Sequence, residues 1–258
     1  MGLQCGGFGR FGQAEQKMTA DHPTKKFAIL YDGEEFFRSK AIGTLVADER
    51  LHLHLEVVEG AMNIADWLRQ FETDDEDLKL IQVLGIRMFN AFGASLKLCC
   101  SGYYQNAALI LRDVLETVFL VDLFRRDKSL IAKWRLADKA SRMKQFKPVL
   151  VRTMLDDRDG FTERKRAAMY DLFSELAGHA TMQSIEMLRP RGMNVHCGPF
   201  FDATALEAVI SEMGRLAVQV GENLETFRSD LGIKDLEILM HFNSLKVRWF
   251  TTFYPSIG

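Results

Sequence analysis

An all-α bundle wrapped around one buried helix is the fold class this sequence predicts. Three observations lead there. Apolar residues recur three or four apart over long stretches. One segment, 103–124, is apolar on every side, as expected of a helix enclosed by others. Only one stretch, near 185–201, reads as extended, so the bundle carries a small hairpin or irregular excursion there. With 258 residues, 47% of them hydrophobic and 26% charged, the chain can enclose a substantial core and does not have the composition of a disordered protein.

The elements follow in order. Gly2, Gly6, Gly7, Gly9 and Gly12 crowd the start, so residues 1–20 are expected to be disordered, ahead of a single helical domain over 21–258. Met18 opens more normal composition and is a second candidate start. Residues 26–31 read as a short strand or as an extended leader laid on helices. Helical spacing holds from about Glu34 to Phe71, where Leu51, Leu55, Val58, Met62, Ala65 and Leu68 form one stripe. Leu51, Leu53, Leu55 and Val57 also alternate as a strand would, but the helical register continues for several turns and prevails.

The acidic run Asp74-Asp75-Glu76-Asp77 complements the positive end of a helix that runs to about Ser101. After Ser101-Gly102 the next helix spans Tyr103 to about Phe124. Residues 129–147 form another, and Pro148 opens a short one. Asp156 to Gly160 reads as a turn, and Thr162 to Ala180 as a helix. Ile185–Leu188 and Val195–Phe201 flank Arg189-Pro190-Arg191-Gly192 and predict two short strands or a long loop. Thr204–Phe227 and Lys234 to about Phe250 complete the bundle.

Charge and cysteine content exclude several classes. The net charge of −2 gives no global attraction to nucleic acid or membrane. Cys5, Cys99, Cys100 and Cys197 show no paired spacing, which argues against a disulfide framework or a zinc ribbon and fits a reducing, cytoplasmic setting. No signal peptide and no uninterrupted apolar run of membrane-spanning length is seen, and Gly6 stands where a myristoylation motif needs Ser or Thr.

The apolar segment 103–124 still carries Arg112, Asp113, Glu116 and Asp122. Buried charges are expensive unless paired, so these four must find partners or water. Arg112 and Glu116 stand four apart on one face, in the order that supports a helix less, which points to tertiary contacts. His179 falls at the margin of the apolar face made by Met169, Leu172, Phe173 and Leu176, with Glu175 placed to orient its ring. Arg112, Glu116 and His179 are therefore the candidate site residues. A structural ion pair and a satisfied boundary histidine are the plainer readings of the same residues.

Residues 101–124, Ser-Gly-Tyr-Tyr-Gln-Asn-Ala-Ala-Leu-Ile-Leu-Arg-Asp-Val-Leu-Glu-Thr-Val-Phe-Leu-Val-Asp-Leu-Phe, resemble the central helix of a bacterial helical family of unknown function. So does Tyr170-Asp-Leu-Phe-Ser-Glu-Leu-Ala-Gly-His179, and the likeness covers about residues 80–200. That family looks related to the HEPN group of helical bundles, some of which are RNases of toxin and antiviral systems. The resemblance implies a setting in bacterial defence or stress. The RNase members carry Arg, four to six residues, then His on one helix. The literal match here, Arg191-Gly-Met-Asn-Val-His196, lies in the extended stretch, where the two side chains would not share a helical face.

Other chemistry is weaker. Residues 125–152 hold ten Lys or Arg against Asp127 and Asp138, a basic segment that could track phosphates or simply be solvated. His52 and His54 would point to opposite sides of a helix and lack a third ligand. No metal or cofactor is expected. Trp249, Phe250, Phe253 and Tyr254 are expected to dock on the core. Three functions remain: a non-enzymatic interaction or regulatory protein, with a second copy of itself or another protein as partner; a HEPN-like RNA-cleaving enzyme; and a nucleic-acid binder using 125–152.

Overall fold

A computed structural model describes residues 24–190, 194–228 and 232–255. Among them the chain is all-α, with no strand. The helices are α1 (Lys25–Ala47), α2 (Glu49–Arg69), α3 (Glu76–Cys100), α4 (Tyr104–Arg126), α5 (Ser129–Leu136), α6 (Lys139–Gln145), α7 (Pro148–Asp159), α8 (Lys165–Phe173), α9 (Met182–Glu186), α10 (Ala203–Leu224) and α11 (Ile233–Phe253). A π turn, Ser174–Gly178, continues α8, and a 3-10 turn, Glu225–Phe227, continues α10. The expected disordered segment 1–20 lies outside the described residues.

Helix α4 is the centre. It packs on α3 and α10, and α7, α8 and the π turn close its remaining side. Leu111, Val114, Leu115, Val118 and Phe124 are sealed from solvent, each burial of this kind contributing about 1.5–3 kcal/mol. Helix α2 lies across α3 and α10 and carries α11 on its outer side. Small residues make that approach possible. A Cβ at Gly221 of α10 would stand 2.1 Å from the Phe242 ring of α11, so the ring fills the space glycine leaves.

Local chemistry explains most boundaries. Asp75 caps α3 by accepting from the Asp77 amide at 2.9 Å, so the acidic run does start that helix. Pro148 stands in the first turn of α7, and Gly160, at φ +67°, ends it. Of the aromatic C-terminal cluster, Trp249 is buried and Phe253 and Tyr254 are half-buried as expected, whereas Phe250 is 38% exposed.

Five expectations are corrected. The turn read at Asp156–Gly160 is the last turn of α7, helical through Asp159, with Gly160 alone turning the chain. Residues 26–31 are neither strand nor leader but the first turns of α1, whose Thr24 accepts from the Phe27 amide. The run 34–71 is two helices, because Asp48 turns extended and caps α2 through the Arg50 and Leu51 amides at 2.8 and 3.1 Å. The run 129–147 splits at Ala137, with Asp138 capping α6 through Ser141 at 2.7 Å. The hairpin at 185–201 is absent among the described residues: α9 occupies Met182–Glu186, and the remainder is irregular chain crossing to α10.

Helix α3 is long and apolar enough to cross a bilayer by length and composition, though Gln82, Arg87 and Asn90 interrupt its apolar run. Arg87 is its one charge between Leu80 and Leu96. Its buried face, including Ile81, Met88 and Phe92, packs into the core beside α4 and α2.

Candidate functional site

The four charges within the apolar stretch 103–124 all find partners. Asp113 pairs with Arg87 of α3 at 2.5 Å. Asp122 accepts from Arg125 and from both ends of the Arg158 guanidinium, each at 3.1 Å, which ties α4 to α7. Arg112 and Glu116 lie 3.5 Å apart along one helix face. These pairs allow an apolar helix to carry charge inside a bundle.

Arg112 is held from several directions. Its Nη2 donates to the Tyr170 hydroxyl of α8, and its guanidinium carbon lies 4.8 Å from the centre of that ring. On the Nη1 side the backbone of Gly178 closes in: a Cβ there would stand 2.5 Å from Nη1. Nε is sealed with no acceptor. The π turn brings Gly178 to this position. Its widened ring is closed by the His179 amide donating to the Ser174 carbonyl at 2.9 Å, five residues back, while the Ser174 hydroxyl donates to the Tyr170 carbonyl at 2.8 Å. Such turns are uncommon and recur at functional sites.

His179 follows at once, and its side chain is exposed. Glu175 is exposed too, and among the described residues no hydrogen bond or ion pair joins it to His179, because the π turn breaks the four-residue spacing that would have aligned them. The three predicted residues thus divide. Arg112 and Glu116 form a pair, while His179 stands beside that pair through the backbone of Gly178, with no polar contact from its ring to either.

Arg152 joins the same cluster. Its guanidinium carbon lies 3.9 Å from the centre of the Tyr170 ring, closer than that of Arg112. Sequence reading grouped it with the basic segment. Its position four residues after Pro148 and beside Val151, on the apolar side of α7, was the signal that it points inward. The segment itself is not one patch. Arg125 and Arg135 are paired with Asp122 and Asp77, Arg142 lies over Trp134, and the exposed cations are distributed over α4, α5, α6 and their connections.

Two further histidine expectations resolve. His52 is exposed and His54 is 3% exposed, so they do point apart on α2. His54 stacks on Phe253, its ring centre 4.2 Å away, and burial with help from the nearby Arg215 and Arg50 pushes its pKa down to about 4. Of Arg191 and His196, the first lies outside the described residues. His196 sits in irregular chain, its amide bonded to the Leu188 carbonyl at 2.9 Å and its ring edge-on to Phe200.

The fold and site together define an all-α bundle with a braced polar cluster on its central helix. Compared with known protein families, with curated proteins and with solved structures, the chain matches none.

Proposed function

We propose that the chain is a non-enzymatic interaction or regulatory protein of the cytoplasm, working through protein contacts in the defence or stress setting its resemblance implies. The observation that carries this reading is the engagement of Arg112 by Tyr170 and Glu116. Tyr170, Glu116 and the Gly178 backbone crowd the guanidinium, whose side chain is 19% exposed, and favour a brace between α4 and α8 over a phosphate site. Apolar side chains outside the core supply contact surface instead. Val46 of α1 is 70% exposed, and it lines one hollow with Arg248 and Thr252 of α11, so the outer faces of α1, α2 and α11 meet there.

A second reading, RNA cleavage, is favoured by the π turn, which sets His179 directly after the glycine that touches Arg112. In that reading Arg112 stabilises the phosphate, His179 is the general acid or base, and Glu116 orients. Incubating the purified chain with total RNA, beside His179→Ala, decides between them. No cleavage above buffer by either protein is the expected result. Cleavage that the substitution removes overturns the first reading. The nucleic-acid binder is tested by titrating RNA at low and high salt: a flat response is expected, and a steep loss of affinity with salt would support binding through 125–152.

A further inference from the structure

A cavity of about 330 Å³ opens beside the brace, between α3, α4, α5 and α7. That is the lower end of the size range of small-molecule sites. One wall is polar, with Arg87, Asp113, Glu116 and Arg152, and the other is apolar, with Trp134 and Phe146 prominent. Charge on the polar wall is nearly accounted for. Arg87 is matched by Asp113, and Glu116 by Arg112. Arg152 is left over.

Arg152 is only 8% exposed, and it makes no hydrogen bond or ion pair among the described residues. Both Nε and Nη1 are sealed with no acceptor, and no other described arginine has two such nitrogens. Its one favourable contact is the face of Tyr170. A guanidinium does not escape burial by giving up its proton, so one buried without an anionic partner is strongly unfavourable. The first turn of α7 adds further positive character, since Pro148 and Val151 line the same cavity and Lys147 provides no side-chain cap.

We infer that this cavity binds a small aromatic or apolar acid, its carboxylate or phosphate group meeting Arg152 and its body lying against Trp134 and Phe146. Turning the guanidinium about its side-chain torsions presents its Nη1–Nη2 edge to an oxyanion in the cavity, giving the planar two-point contact that arginine offers such groups. The site is independent of the reading of Arg112, which stays in its brace.

Calorimetric titration of the full chain tests it, with 3-phenylpropionate and phenyl phosphate as acid probes, 3-phenylpropanol as the neutral analogue and inorganic phosphate as the bare anion. At least one aromatic acid should bind in the millimolar range or tighter, with the alcohol and inorganic phosphate weaker by about tenfold or more. The acid that binds better identifies the head group. Arg152→Met keeps the apolar stem and should lose that binding while remaining folded by circular dichroism. If Arg152→Met does not fold, Leu120→Trp, which fills the cavity from α4, must abolish binding of the acid. Three results overturn the proposal: no acid bound at roughly 10 mM, equal affinity for acid and alcohol, or wild-type affinity in the folded variant.

Discussion

Trp249 of α11 donates its indole N–H to Nδ1 of His54 of α2 at 2.9 Å, which leaves the imidazole proton on Nε2 and holds the ring neutral. The bond joins two buried groups, and the ring is also stacked on Phe253.

Burial of this ring sets a pH dependence. The pKa of His54 is about 4 in the folded chain and near 6.5 in an unfolded one, so the unfolded state binds the extra proton between those values. Stability is therefore lost as pH falls from about 6.5 toward 4, by about 2 kcal/mol between pH 7 and pH 5 from this residue. Urea denaturation at both pH values measures it. His54→Gln, which retains an acceptor, should show a smaller loss, and an equal loss would assign the effect elsewhere.

Gly221→Ala sets two effects against each other. Alanine favours the helix by about 1 kcal/mol over glycine, whereas overpacking a full core costs about 1–3 kcal/mol or more. A new Cβ 2.1 Å from the Phe242 ring makes the second effect win, and the variant should be less stable. Thermal denaturation gives the sign directly.

Arg112→Met should lower stability by roughly 1–2 kcal/mol, a value reduced from that of a sealed pair because the two side chains are 19% and 32% exposed. Arg112→Lys should not restore it, since an ammonium cannot serve Glu116 and Tyr170 together from that position. A double-mutant cycle with Glu116→Gln measures the coupling, and a value near zero would remove the brace.

Asp122→Asn should loosen the attachment of α7 to α4. The carboxylate serves Arg125 and Arg158 at once, and losing its charge should cost about 1–3 kcal/mol. Hydrogen exchange should quicken in α7 more than in α2, which does not touch this network.

The helical class and the central position of α4 were legible because burial leaves a long periodic trace: no other reading suits eleven apolar residues between Leu109 and Phe124. The break at Asp48 was hidden because apolar spacing continues on both sides of it, and one capping carboxylate decides the matter. Residues 26–31 looked extended since a helix whose apolar residues do not gather on one face leaves little periodic signal. The Arg112–Glu116 pairing followed from a four-residue spacing. The place of His179 did not, because the π turn shifts its register, and Arg152 was obscured by nine basic neighbours that stand mostly in solvent.

A π turn is an α-helix that has taken in one residue without letting go of its ends. Each added residue advances whatever follows by about 100° around the axis. Between Ser174 and Gly178 that advance seats a side-chain-free backbone atom on a guanidinium and sends the imidazole after it outward. Cutting one residue from this stretch would therefore leave a regular spiral of the same reach, with a different neighbour pressed on the arginine and the histidine rotated to a new bearing.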